Sequence, residues 1–310
     1  MVHYQPLAFD GSESNIPSEF IRPDDEKPCL DAPELVIPTI DLGTLRCWSD
    51  PPALSKAAEA VSEACKRHGF FLVVNHGVDL GLIDKAHQYM DVFFGLQISE
   101  KQKAQRKVGD SYGRIYQEYC EAMNKLSLQL MELVGISLGL DQSYFKDLFE
   151  ENDSILRLNH YPPCQQPDST LGTGPHSDPT SLTILHQDQL GGLQVFSDEK
   201  WHSIAPIPEA FVVNIGDTLM ALTNGVYKSC IHRAVVNNRV ARRSLAFFLC
   251  PKMDITVTVA QGLVNAANPR RYPDFTWASL LEFTQRHYRA DMKTLDAFSK
   301  WVQQRESTEK

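Results

Sequence analysis

The chain is short of positive charge: 30 lysines and arginines stand against 39 acidic residues, a formal charge of −9. A nucleic-acid binder needs a basic footprint, so that class is excluded. No uncharged apolar run approaches the roughly 20 residues of a membrane helix. Met1 to Asp10 lack a basic stretch followed by an apolar one, so no secretory signal is read. The seven cysteines (29, 47, 65, 120, 164, 230 and 250) are scattered and odd in number, without a Cys-x-x-Cys pair. That argues against a disulfide framework and a cysteine zinc site, and predicts reduced thiols in the cytoplasm. At 310 residues and 43% hydrophobic content the chain is too apolar for disorder and large enough for a substantial core.

Residues 1–35 are polar and broken by prolines at 6, 17, 23, 28 and 33, an extended tail rather than a domain. Val36 to Asp41 reads as a short strand, with Pro38 favouring a sheet edge. In Pro52–His68, Ala53, Leu54, Ala57, Ala60, Val61 and Ala64 recur at helical spacing, and Gly69 supplies the stop. Phe70–Val74 is a continuous apolar strand. Asp79 caps a second helix running to about Phe94, and Ser99 with Gln102 offers a capping box for a short third. From Arg114 to Leu138, Ile115, Tyr119, Met123, Leu126, Leu130, Leu133 and Leu138 trace one stripe, predicting a long scaffold helix against a sheet.

Beyond Ser154 the texture changes to short strands: Ile155–Tyr161, Leu182–Asp188, Leu193–Phe196, Trp201–Ile204, Phe211–Ile215, Ser229–Val236 and Ser244–Leu249. Gly191-Gly192, Ser197-Asp198 and Asn224-Gly225 supply the turns. So many strands without intervening helices predict a double-sheet jelly roll. Helical pattern returns at Trp277–His287 and Asp291–Val302. The fold class is therefore mixed α and β: a double-stranded β-helix (jelly-roll) core with flanking helices. The expected regions are a tail (1–35), an N-terminal region (36–110), the scaffold helix (111–150), the β core (151–252) and a helical C-terminal region (253–310).

His176-Ser177-Asp178, read on a strand, aims an imidazole and a carboxylate at one point. With His232 on another strand it matches the two-histidine, one-carboxylate set of non-haem iron(II) oxygenases. Alone, the spacing is weak: His186-Gln187-Asp188 repeats it, and a lone strand histidine is more often packed than ligating. Arg242 and Ser244 share a strand face, with Arg243 pointing away, and suit a carboxylate clamp. Asn159 and Tyr161 likewise share a face. Solvated charge and a half-buried aromatic are the plainer readings of these two pairs.

Longer runs carry more. Gly172-Thr-Gly-Pro-His-Ser-Asp-Pro-Thr-Ser-Leu-Thr-Ile-Leu185, Asn214-Ile-Gly-Asp217 through Asn224-Gly225, Tyr227-Lys-Ser-Cys-Ile-His-Arg-Ala-Val-Val236 and Arg242-Arg-Ser-Leu-Ala-Phe-Phe248 resemble the plant 2-oxoglutarate- and iron(II)-dependent dioxygenases. So do Ile37-Pro-Thr-Ile-Asp41 and His68-Gly-Phe-Phe-Leu-Val-Val-Asn-His-Gly77. Arg242–Pro251 and Tyr272–Trp277 through Phe283–Asp291 are most similar to gibberellin 20-oxidases. The resemblance implies His176, Asp178 and His232 as iron(II) ligands. It makes Arg242 and Ser244 the site for 2-oxoglutarate, assisted by Tyr161 and Asn159. It also favours His176 over His186, because the family's ligand pair precedes Thr-x-Leu-Thr-Ile-Leu.

The implied reaction consumes O2 and 2-oxoglutarate, with ascorbate in assays, and oxidises carbon 20 of a diterpenoid acid in repeated rounds until it is lost. A cytoplasmic monomer without nucleic-acid or membrane partners is expected. One departure stands out: where the resembling enzymes carry a further segment with a Leu-Pro-Trp-Lys-Glu-Thr run, Asp110-Ser-Tyr-Gly113 here joins Arg114 directly. Its absence implies an exposed sheet edge near the site. It also raises two alternatives, another plant 2-oxoglutarate oxygenase or an inactive shortened form that still binds iron and 2-oxoglutarate. A zinc hydrolase is disfavoured, since no helical His-Glu-x-x-His is present.

Overall fold

The computed structural model describes residues 16–45, 50–104, 110–287 and 294–308. The first 15 tail residues, Cys47 and the start of the helix expected from Asp291 lie outside them. Strands β1 (Thr39–Asp41) and β2 (Phe70–Val74) flank helix α1 (Pro51–Arg67), and helices α2 (Leu80–Gly95), α3 (Ile98–Ala104), α4 (Asp110–Ser137) and α5 (Ser143–Phe149) follow. Then come β3 (Ile155–Tyr161), β4 (Thr173–His176), β5 (Leu182–Gln187), β6 (Leu193–Ser197), β7 (Lys200–Ser203) and β8 (Phe211–Ile215). After α6 (Asp217–Leu222) the chain forms β9 (His232–Ala234), β10 (Arg242–Leu249), β11 (Thr256–Val257), β12 (Phe275–Thr276), α7 (Trp277–His287) and α8 (Thr294–Thr308).

Two sheets face each other, as expected for a jelly roll. The larger runs β1-β2-β8-β5-β10-β3 and the smaller β4-β9-β6-β7. Strand alternation explains why the larger sheet is apolar on both faces. Phe71, Val73, Phe211, Val213, Ile184, Leu245 and Phe247 join Tyr119, Met123, Leu126 and Leu130 of α4 in the main core. Phe70, Leu72 and Val212 point the other way and meet Leu193, Val195 and Ile204 of the smaller sheet. Each such side chain stabilises the fold by roughly 1.5–3 kcal/mol through burial. The between-sheet core is small, because further along β5, β8 and β10 the inward positions become polar.

Several elements differ from expectation for local reasons. The helix α4 begins at Asp110, so it passes without a break through the Gly113–Arg114 junction. Ser99 is not a cap, since α3 already starts at Ile98 and the Gln97 carbonyl accepts from Glu100 and Lys101. The strand expected over Ser229–Val236 is only His232–Ala234. Asn224-Gly225 closes α6, which was not expected: its Asp217 and Thr218 are fully buried and bond the preceding loop instead of continuing a strand. Val36 is outside β1 and 86% exposed.

Residues 27–35 strap the outer face of the smaller sheet. Ser203 donates its amide to Pro33 O and its hydroxyl to Ala32 O, and Gln194 Nε2 donates to Cys29 O. Arg233 is buried under this strap. Its Nε donates to Gln194 Oε1 at 2.8 Å, and its guanidinium lies 3.9 Å from the Trp201 ring centre.

Candidate active site

The polar patch between the sheets is where a sandwich core should be apolar. Thr183, Gln187, Asn214, Arg242 and Ser244 are all buried, on inward positions of β5, β8 and β10. Burying so many hydrogen-bonding groups is unfavourable unless each finds a partner, which marks this wall as a built site.

His176 and His232 face each other as a strand pair at the ends of β4 and β9, with ring centres 4.3 Å apart. Asp178 is not on the strand: β4 ends at His176, and the carboxylate stands on the loop beyond it. Strand alternation therefore does not aim it; a set of loop bonds does. Asp217 N donates to Asp178 O at 2.7 Å, Gly216 N to Ser181 O, and Thr218 Oγ1 to Pro179 O. Gly216 is required there, because a Cβ would lie 2.0 Å from Thr180 O. Ser177 Oγ donates to Asp217 Oδ2. Burial pushes the Asp217 carboxyl up to about 7.

Thr183 Oγ1 and Asn214 Nδ2 both donate to Asp178 Oδ2, at 2.6 and 2.9 Å. The other oxygen, Oδ1, is thereby turned to 3.6 Å from His176 Nε2 and 3.7 Å from His232 Nε2. Each ring is oriented from behind, Nδ1–H donating to Gly174 O and Cys230 O respectively, which leaves the Nε2 lone pairs inward. Burial first, then His232, lowers the His176 pKa to about 4, so it is a neutral ligand at pH 7. Burial opposes ionisation of Asp178, but the two histidines, Thr183 and Asn214 hold its carboxyl below its usual value. Among the described residues this is the one group of three His, Cys or acidic donors able to hold a metal ion, all within 4.8 Å. Two imidazoles and a carboxylate suit iron(II) and leave positions for other ligands.

Along the same wall β10 pairs with β3, setting Arg242 opposite Tyr161 and Ser244 opposite Asn159. Arg242 is 3% exposed. Its Nε donates to Gly191 O, its Nη2 to Gln187 Oε1 at 3.2 Å, and Tyr161 lies beside it with the guanidinium 5.3 Å from the ring centre. Gly192 makes room, since a Cβ there would come within 3.0 Å of Arg242 Cδ and Nε. Tyr161 OH bonds Thr173 Oγ1, and Asn159 Nδ2 donates to Ser244 Oγ at 3.3 Å. Gln187 Nε2 is buried without an acceptor among the described residues. A buried guanidinium with no carboxylate paired to it among the described residues, beside an orphaned amide donor, is a fitting seat for an anionic cosubstrate.

The competing pair is separated from this wall. His186 points to the helical layer, bonded to His87 at 2.8 Å, and Asp188 takes the Arg243 amide. Arg243 turns outward to Asp91 and Asp188. Thr183, Asn214 and Gln187 escaped the sequence reading of roles; the inward, alternate placement of polar residues in otherwise apolar strands was the available signal. A roomier hollow of about 660 Å³ between the β2–α2 loop and α4 gathers no such donor set.

Comparisons with known proteins converge on the same site. The 2OG-Fe(II) oxygenase superfamily profile matches residues 152–251, and that of the non-haem dioxygenase in morphine synthesis N-terminal region matches 37–155. The chain is 52% identical to gibberellin 20 oxidase 1 of Arabidopsis thaliana, covering 96% of this chain and 92% of that one. It is 50% identical to gibberellin 20 oxidase 1-B of Triticum aestivum, covering 94% and 93%. The Arabidopsis alignment runs over 350 positions, whereas 96% of 310 residues is roughly 298, so about 50 positions of the relative face a gap.

Among solved structures, that of JOX2 in complex with 2OG, Fe and JA superposes with a TM-score of 0.79 at 33% identity, covering 88% of this chain and 90% of that one. The dioxygenase for auxin oxidation in rice gives 0.75 at 26%, covering 84% and 99%. No described helix is long and apolar enough to cross a membrane. With sandwich, donor triad and anion seat in one cavity, and these likenesses spanning nearly its whole length, the chain belongs to the 2OG-Fe(II) oxygenase superfamily.

Proposed function

We propose that the chain is a gibberellin 20-oxidase, oxidising carbon 20 of diterpenoid acid precursors with iron(II), O2 and 2-oxoglutarate. The observation that carries this is the intact triad and cosubstrate wall in a chain about half identical to gibberellin 20 oxidases from two plants. His176, Asp178 and His232 would hold the iron. Arg242 and Ser244 bind the distal carboxylate of 2-oxoglutarate, with Tyr161 and Asn159 fixing its orientation. Iron(II) and 2-oxoglutarate, once bound there, would supply the oxidising power, O2 being consumed as 2-oxoglutarate is converted to succinate and CO2 and the substrate is oxidised.

The chain's own contribution is positional. Thr183 and Asn214 keep Asp178 Oδ1 toward the histidines, the Nδ1–H bonds keep both Nε2 atoms turned inward, and the buried wall around Arg242 shields the cosubstrate end from water. A cytoplasmic location fits the six described cysteines, all free thiols; a monomer is the expected state, which light scattering checks.

A second reading is favoured by the gap of about 50 positions: a protein that binds iron and 2-oxoglutarate without turning over gibberellins. One experiment separates the two. Purified protein is incubated with iron(II), ascorbate, 2-oxoglutarate and labelled gibberellin precursors, and products are identified by mass spectrometry. Carbon-20 oxidised products establish the first reading; 2-oxoglutarate binding without any such product establishes the second.

A further inference from the structure

On β3, Ile155, Arg157, Asn159 and Tyr161 point to one face, opposite Phe248, Ala246, Ser244 and Arg242 of β10. That face is the inner wall of the site. Arg157 is therefore one inward position, about 7 Å, beyond Asn159 along the strand, and two beyond Tyr161. It stands level with the stretch between the donor triad and Arg242. Because β3 is the last strand of its sheet, Arg157 is at the open side of the cavity. It lines the cavity yet its side chain is exposed, and it is close enough for its charge to reach His176. Among the described residues it makes no hydrogen bond or ion pair.

The other two arginines of the lining are committed. Arg242 is held by Gly191 and Gln187 at the closed end. Arg233 is bonded to Gln194 and covered by Trp201 on the far side of the smaller sheet. Among the described residues of the lining Arg157 is thus the free cation, and its neighbours on the wall, Ala246, Leu185 and Phe248, are apolar. A guanidinium at the rim of an apolar wall suits a ligand with a hydrocarbon body and a peripheral carboxylate.

We propose that Arg157 anchors a carboxylate of the diterpenoid substrate at the mouth of the site, so that the cavity selects acids over neutral skeletons. This rests on the gibberellin reading above. Arg157 would be a specificity-determining residue: it holds one end of the substrate while the carbon to be oxidised extends toward the triad.

The test is equilibrium binding, without oxygen, to the protein loaded with iron(II) and 2-oxoglutarate. The probes are a twenty-carbon gibberellin precursor as free acid and as its fully methylated ester. The unmodified protein should prefer the acid. Arg157→Gln should weaken acid binding about tenfold, equivalent to about 1.4 kcal/mol, leave the ester within twofold, and erase most of the preference. Arg157→Lys should recover part of it, and 2-oxoglutarate affinity should be unchanged in both variants. Equal losses for acid and ester, or a loss of 2-oxoglutarate affinity instead, would overturn the role of Arg157 and leave the gibberellin reading standing. If the unmodified protein binds neither acid nor ester, the gibberellin reading fails and this inference with it.

Discussion

Replacing Arg242 by lysine tests the cosubstrate wall with charge held constant. The guanidinium commits Nε to Gly191 O and Nη2 to Gln187 Oε1, so the side chain is held from behind, in a cavity that Tyr161, Ser244 and Asn159 also line. Lysine brings a single ammonium. If it reaches the Gly191 carbonyl it leaves the cosubstrate, and if it turns to the cosubstrate it leaves two buried acceptors unmatched. Losing one charge-assisted hydrogen bond costs about 1.5–3 kcal/mol, which at about 1.4 kcal/mol per decade is a tenfold to hundredfold weaker affinity for 2-oxoglutarate. Calorimetric titration of the iron-loaded protein reads this directly. Iron affinity should hardly move, because Arg242 touches none of the three donors. Arg243→Lys is the matched control: that side chain turns to Asp91 and Asp188 on the opposite face, and its change should stay below about twofold. Unaltered 2-oxoglutarate binding in Arg242→Lys, or a matching loss in Arg243→Lys, would refute the assignment.

Thr183→Val combined with Asn214→Ala should loosen Asp178 and lower iron(II) affinity by roughly tenfold to a hundredfold, the usual scale for partners behind a metal ligand. A metal titration that matches the unmodified protein would remove both residues from that role. The His87–His186 pair predicts a pH dependence of stability. Burial first, then His87 and His76, pushes His186 down to about 4, and Arg243, Asp188, Asp91 and Asp84 surround its partner. An unfolded histidine takes up its proton near pH 6.5 while the folded one resists, so stability falls as pH drops from about 6.5 to 4, by up to roughly 3 kcal/mol. His186→Gln should flatten that decline, and urea midpoints of the two proteins running parallel across the window would contradict it.

Much of this architecture is readable in the chain because burial leaves periodic marks. β3 and β8 lie where alternation and apolar runs place them, and the inward or outward sense of Arg242 and Arg243 follows from strand phase alone. What escaped reading depends on distant partners. Asp178 is aimed by the start of α6, nearly 40 residues later, through bonds that leave no local pattern. The spacing His-x-Asp could not separate His176 from His186, because the difference lies in which face of a sheet each occupies, and only the wider run around His176 favoured it. The early start of α4 was hidden because the apolar stripe begins only at Ile115, whereas the helix runs on through Gly113, a single glycine costing a long helix only about 1 kcal/mol.

The open rim formed by β3 also sets an order in which the site can come apart. This strand is tied to its sheet through β10 alone, whereas β8 and β5 are each paired on both sides. Thermal fraying should therefore begin at 155–161, and amide exchange there should outpace that at 211–215. Such an excursion carries away Arg157, Asn159 and Tyr161, while Thr183 and Asn214, on strands paired on both sides, stay behind Asp178. Arg242 and Ser244, on a strand that β5 still holds, stay in place, so the opening loosens the substrate side of the wall before the clamp for 2-oxoglutarate.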